Sequence, residues 1–246
     1  MILDRVTITG ADDLTNVQEL ASLNEEFPFV EWGILVSLSS EGSPRFPHRR
    51  WIQRLLSELP LTARLSLHVC GRWTREILRG YWPPDLPWAT RRSFERVQLN
   101  THALPHEFDA QGFLGLAKRA LLDCQVIVQM DGAEEARSIL RTMVHMGVDA
   151  APLFDTSGGA GTVPVEWPRP LEGIAYHGYA GGLGPDTLSK ELGRIAAAAG
   201  DARVWIDMER QVRTKDEVLD MERVRQVLAR CALLMGIDGE QRQPSG

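Results

Sequence analysis

Two rhythms of hydrophobic and polar positions alternate along this chain. Short apolar runs fall at Arg5–Ile8, Trp32–Val36, Leu65–Val69, Arg96–Leu99, Gln125–Gln129, Ala151–Phe154, Ile174–Tyr179 and Arg203–Ile206, and each reads as a strand. Between and after them run stretches with apolar residues at helical spacing: Asp13–Asn24, Arg49–Leu59, Phe113–Asp123, Glu134–Met146, Asp186–Ala199 and Met221–Leu234. A repeated strand–helix order predicts a parallel sheet with its helices outside, and eight candidate strands predict an α/β fold of the (β/α)8 TIM-barrel type. An open doubly wound sheet is the alternative. Its dinucleotide fingerprint belongs in the first strand–helix turn, where this chain reads Thr9-Gly10-Ala11-Asp12. The connection from Arg79 to Glu95, with Trp82-Pro83-Pro84 and Pro87-Trp88, carries too much proline for a regular helix and predicts a rim loop.

Size agrees with that pattern. A chain of 246 residues with 43% hydrophobic residues supports one large core, so residues 1–237 are expected to form a single barrel domain and residues 238–246 a disordered C-terminal tail. The formal net charge of -6 supplies no basic field for nucleic acid. Cys70, Cys124 and Cys231 are widely spaced and form no CxxC pair, which fits reduced thiols. His102 and His106 stand four apart, but Pro105 between them argues against a chelating helix, so no metal is expected and no cofactor either. With no apolar leader at the N-terminus and no run of 18 apolar residues, the expectation is a cytoplasmic protein without a membrane partner, a monomer or homodimer that meets a small phosphorylated metabolite.

The candidate chemistry lies late in the chain. Phe154-Asp155-Thr156-Ser157-Gly158-Gly159-Ala160-Gly161 and Gly178-Tyr179-Ala180-Gly181-Gly182-Leu183-Gly184-Pro185 each follow a predicted strand. Glycine lets backbone amides approach an anion closely, and the loops after barrel strands seven and eight commonly form a phosphate site. Gly181 and Gly182 are therefore candidate phosphate ligands, with the helix opening near Asp186 adding the positive end of its dipole. The plain alternative is a turn that needs positive φ. Asp155 at a strand end is a candidate general acid, or else the cap of the Thr156-Ser157-Gly158 turn. Cys70 and His68 share one face of the third strand, so they can share a proton, or can simply pack.

In their order along the chain these segments resemble phosphoribosylanthranilate isomerase, over nearly the full length. Ser43-Pro44-Arg45 stands where that family has a substrate-binding turn, Val97-Gln98-Leu99-Asn100 resembles its fourth strand, Asp155 its sixth-strand catalytic acid, Gly181-Gly182 its seventh-strand phosphate loop, and Val204-Trp205-Ile206-Asp207 its eighth strand. The resemblance implies acid/base isomerisation of a phosphorylated ribosyl-type molecule, as in tryptophan biosynthesis. It gives Asp155 the acid's role, makes Arg45, Gln98, Gly158 and Gly159 substrate contacts, and makes Gly181 and Gly182 phosphate contacts, to which Arg210 can add a side-chain contact in place of the family's eighth-strand turn. Three positions depart from it, Asn100 standing where the family's fourth-strand motif has histidine. Thr9 replaces the family's first-strand cysteine, the general base, and Glu209-Arg210-Gln211 replaces the small residues of the eighth-strand turn. A threonine hydroxyl does not accept a proton at neutral pH as a thiolate does. Replacement bases are sought among Cys70, His68, Glu31 and Asp207, of which Glu31 precedes the second strand, at its wrong end. The alternative function is an inactive or repurposed barrel that binds a phosphorylated metabolite without turnover.

Overall fold

The computed structural model describes residues 1–86, 94–101, 108–120 and 124–237. The proposed tail, the His102 and His106 pair, and residues 87–93 of the proline-rich connection lie outside them. Eight parallel strands close into a barrel in chain order: β1 (Ile2–Thr9), β2 (Val30–Val36), β3 (Arg64–Val69), β4 (Arg96–Leu99), β5 (Gln125–Met130), β6 (Ala150–Phe154), β7 (Tyr176–Ala180) and β8 (Arg203–Met208), with β8 paired to β1. The helices are α1 (Val17–Glu26), α2 (Arg49–Glu58), α3 (Arg72–Leu78), α4 (Ala110–Ala120), α5 (Glu134–His145), α6 (Leu188–Ala199) and α7 (Met221–Leu234). This is the (β/α)8 architecture that the alternation of patterns predicts.

The differences from the expected elements have local causes. Helix α1 begins at Val17 because the Asn16 side chain accepts the Gln18 amide, a cap that displaces the start from Asp13. Helix α3 has no counterpart among the expected helices. Its seven residues are too few for a periodic signal, yet Trp73, Thr74, Ile77 and Leu78 are all buried on one stripe. Between β6 and β7 the described residues contain no helix. Pro164, Pro168 and Pro170 break that connection, which Trp167 pins to α6 by donating from Nε1 to Glu191 Oε2 at 2.9 Å.

The core is divided in two by the sheet. The larger part lies between strands and helices, where residues such as Ile8, Ile34, Val69, Leu99 and Val128 are fully buried. A small apolar cluster of Ile127, Ala151, Leu153, Ala180 and Trp205 fills part of the barrel interior. Apart from Leu35 and the glycines, most of the remaining inward positions are polar. Glu31 lies within β2, correcting its placement ahead of that strand, and accepts hydrogen bonds from Arg5 (2.6 Å), Thr7 (2.9 Å) and Arg96 at the foot of the barrel. The Arg96 guanidinium carbon sits 4.4 Å from the centre of the Trp205 ring. Burial alone would raise the Glu31 carboxyl, but Arg96 and Arg5 outweigh it and hold the group down at about 2.

Candidate active site

A cavity of about 310 Å³ opens at the C-terminal ends of the strands, the end where barrel enzymes carry their chemistry. It is lined by Thr9, His68, Gln98, Gln129, Asp155, Gly181, Gly182 and Asp207, together with Arg45, Cys70, Gly158, Gly159 and Arg210. Apart from Glu31, which lies at the foot, the site residues expected from the sequence thus meet in one place, although the segments that supply them span most of the chain. What each side chain does there differs from residue to residue.

Asp155 follows β6 and is held from three directions. Gln129 Nε2 donates to Oδ2 at 2.8 Å, the Gly159 amide to the same oxygen at 2.8 Å, and Ser157 Oγ to Oδ1 at 2.7 Å. The amide of Gly158 donates to the Asp155 carbonyl at 3.0 Å. Both glycines expected to touch substrate through their amides therefore spend them on Asp155. Gly158 and Gly159 adopt φ of 58° and 87°, which lets the turn curl back under the carboxylate. Gln129 was not among the expected site residues, and its one sequence signal is a polar residue at an inward position near the end of a strand whose middle, Val126–Val128, is apolar.

The Gly181-Gly182 turn lies beside that carboxylate. A Cβ built on Gly181 would fall 3.9 Å from Asp155 Oδ1 and 2.8 Å from the Thr162 carbonyl oxygen, and one on Gly182 would fall 2.6 Å from the Val163 amide nitrogen. The glycines thus admit the loop after β6 against the end of β7. Among the described residues, neither amide enters a backbone hydrogen bond. Arg210 is less free than expected for a phosphate contact. Its Nε donates to the Gly159 carbonyl at 2.8 Å, clamping the β6 and β8 loops together.

Thr9, in the position of the missing thiol, donates from Oγ1 to Asp207 Oδ1 at 2.8 Å. Gly33 on the adjoining strand makes room for it, since a Cβ there would fall 2.3 Å from Thr9 Oγ1 and 2.8 Å from His68 Cε1. Asp207 is buried, and that burial pushes its carboxyl well above the ordinary range. Thr9 and Arg96 oppose the rise, while Glu209 and Glu31 add to it. His68 is also buried, and burial holds its imidazole down at about 3, so the ring is neutral. The expected Cys70–His68 proton sharing is not formed. The Cys70 sulfur lies 3.8 Å from the His68 carbonyl, not its ring, and accepts from Asn100 Nδ2 at 3.0 Å. Burial lifts this thiol to about 12, which leaves little thiolate to act as a base.

Arg45 has positive φ (76°), with its amide donating to Asp12 Oδ2 at 2.8 Å. Its guanidinium pairs with the Glu209 carboxylate, so the β2 and β8 loops meet through opposite charges over the cavity. Asp12 also pairs with buried Arg213 at 3.0 Å. Three buried polar atoms near the cavity have no protein partner: His68 Nε2, Gln98 Oε1 and Gln129 Oε1. Buried polar groups are nearly always satisfied, so this arc across β3, β4 and β5 is suited to water or to a ligand with hydrogen-bonding groups. Among the described residues there is no cluster of three His, Cys, Asp or Glu able to hold a metal ion, and no helix long and apolar enough to cross a membrane.

No family model and no curated protein matches this chain. Solved structures do. Phosphoribosyl anthranilate isomerase from Thermus thermophilus superposes with a TM-score of 0.60 at 19% identity, covering 94% of this chain and 99% of that one. The Thermotoga maritima enzyme gives 0.55 at 16% identity over 95% and 99%. A phosphoribosyl anthranilate isomerase in complex with reduced 1-(o-carboxyphenylamino)-1-deoxyribulose 5-phosphate gives 0.54 at 17% identity over 93% and 97%. The likeness carried by the sequence motifs is therefore matched by likeness of the whole fold.

Proposed function

We propose that this barrel binds a phosphorylated ribosyl-type small molecule at its C-terminal mouth and isomerises it by proton transfer, in the manner of phosphoribosylanthranilate isomerase. The observation that carries the reading is the contact of the Gly181-Gly182 turn, with backbone amides unspent, against the Asp155 carboxylate in one cavity. Amides without acceptors favour an anion, and a carboxylate beside them is placed to exchange a proton with the sugar that the anion anchors. On this reading the phosphate rests on Gly181, Gly182 and Arg210, while the ribosyl portion lies between Asp155 and Gln98. The protein works in the cytoplasm, as a monomer or homodimer, without metal or cofactor, and a step of tryptophan biosynthesis is the first reaction to assay.

Binding of the reduced carboxyphenylamino-deoxyribulose phosphate, measured by calorimetry, tests the site. Gly182→Asp is expected to weaken it at least tenfold, because the new side chain meets Val163 and adds negative charge beside the anion. Unchanged affinity would remove the glycine turn from the site. Complementation of a tryptophan auxotroph lacking the isomerase tests turnover. A second reading, binding without turnover, is favoured by Thr9, which leaves no thiolate on β1, and by Glu209, which neutralises Arg45. Tight binding with no complementation would select it.

A further inference from the structure

The two acidic groups of the cavity sit in opposite environments at one level of the barrel. Ala180 pairs with Asp207, and Phe154 with Tyr179, so Asp155 and Asp207 flank Ala180 from alternate strands. Two strand spacings put their backbones roughly 10 Å apart, which leaves room for a sugar between the carboxyls. Asp155 receives three hydrogen-bond donors, the arrangement that suits a carboxylate. Asp207 receives one, from Thr9, and among the described residues its Oδ2 has no protein partner. The charges that bear on Asp207 are Glu209, Glu31 and the more weakly felt Arg96, so negative neighbours prevail. Arg96 is committed to Glu31 at the foot of the barrel.

We propose that Asp207 is the proton donor of this site and Asp155 the proton acceptor, the reverse of the part that the family resemblance gives Asp155. The assignment rests on the isomerase reading above and accounts for Thr9. No thiolate is needed on β1 when Asp155 is the base, and the residue there holds the new acid instead. Burial, which raises the Asp207 carboxyl well above its ordinary range, agrees with that assignment. In the reaction, Asp207 gives its proton to the ring oxygen as the bond from that oxygen to C1 breaks. The lone pair of the amine nitrogen then closes a C=N bond. Asp155 takes the proton from C2, the C–H electron pair becomes the C1=C2 bond, and the C=N pair returns to nitrogen. The C2 hydroxyl next passes its proton to Asp207, and Asp155 returns its own to C1. A ketone remains at C2 and both carboxyls end as they began.

Carbon-13 NMR of protein labelled at the aspartate carboxyls tests the assignment without requiring turnover. One aspartate signal is expected to stay protonated at pH 7 and to vanish in Asp207→Asn. A wild-type Asp207 signal that is a carboxylate at pH 7 would overturn the proposal. With phosphoribosylanthranilate as substrate, Asp207→Asn is expected to lower kcat at least 100-fold with little change in KM, and a kcat within threefold of wild type would also overturn it. Thr9→Val removes the bond that favours the ionised form, so the alkaline limb of kcat should move to higher pH, and a limb that stays in place counts against Asp207 as donor. If wild type binds neither this substrate nor the reduced analogue, the isomerase reading fails, and the carboxyl titration still decides which acid holds the proton.

Discussion

The foot and the mouth of this barrel both bury polar side chains, and they treat them in opposite ways. At the foot, Glu31 is enclosed by Arg5, Arg96 and Thr7, so a buried negative charge is met by two positive ones. At the mouth, Asp207 has a hydroxyl for company, and His68 Nε2, Gln98 Oε1 and Gln129 Oε1 have no protein partner. A buried ion stripped of partners is costly, so a foot built like the mouth would not hold charge. The mouth keeps its groups by leaving them neutral or by facing them to a cavity. Charge pairing surrounds Glu31 at the foot, although among the described residues Arg5 Nε and Arg96 Nη1 lack partners there, whereas at the mouth the unpartnered atoms of His68, Gln98 and Gln129 belong to residues that line the cavity.

Removing one partner at each end should separate the two most widely. Arg96→Met leaves Glu31 short of its main counter-charge and is expected to cost about 3 to 5 kcal/mol in urea unfolding. Asp207→Asn removes a carboxyl that burial makes take up a proton on folding, so at pH 7 it should stabilise the protein instead of costing stability. Equal losses would mean that the two ends are not distinct.

Acid should dissect the comparison next. Both Glu31 and His68 have folded-state values below their ordinary ones, so each contributes stability at higher pH that is lost as pH falls. For His68 the loss runs from about 6.5 down to about 3, and for Glu31 from about 4.5 down to about 2. Because Asp207 titrates in both proteins, His68 is read from the difference between them: the melting temperature of His68→Gln should gain on the wild type as pH falls from 6.5 to 5. A difference in melting temperature between variant and wild type that stays constant over that interval would contradict a neutral buried His68.

The smallest effect is expected where the mouth does contain an ion pair. Arg45 and Glu209 remain partly exposed, so Glu209→Gln should alter stability by less than about 1 kcal/mol while strengthening inorganic phosphate binding a few-fold, read by calorimetry. Weaker binding in that variant would show that the pair supports the site instead of competing with it.

Much of this was legible in the chain itself. Strand and helix periods predicted the barrel, and the glycine turns after β6 and β7, with Asp155, pointed to the residues that line the cavity. Helix α3 escaped because two turns are too short to display a period. The Cys70–His68 pairing expected from their shared face was displaced by Asn100, which follows β4 and takes the sulfur. Gln129 looked like a polar residue at the end of an apolar stretch until the barrel closed and set it against Asp155.

From its sequence alone, the chain determined the order of its elements, because side-chain period is a local property set by helix and strand geometry. It also determined which segments carry glycine, since backbone freedom belongs to the residue itself. Only the closed barrel decided how protons are shared among Thr9, Asp155 and Asp207. Thr9 and Asp207 are 198 residues apart, and neither burial nor the sign of neighbouring charge exists before the strands meet.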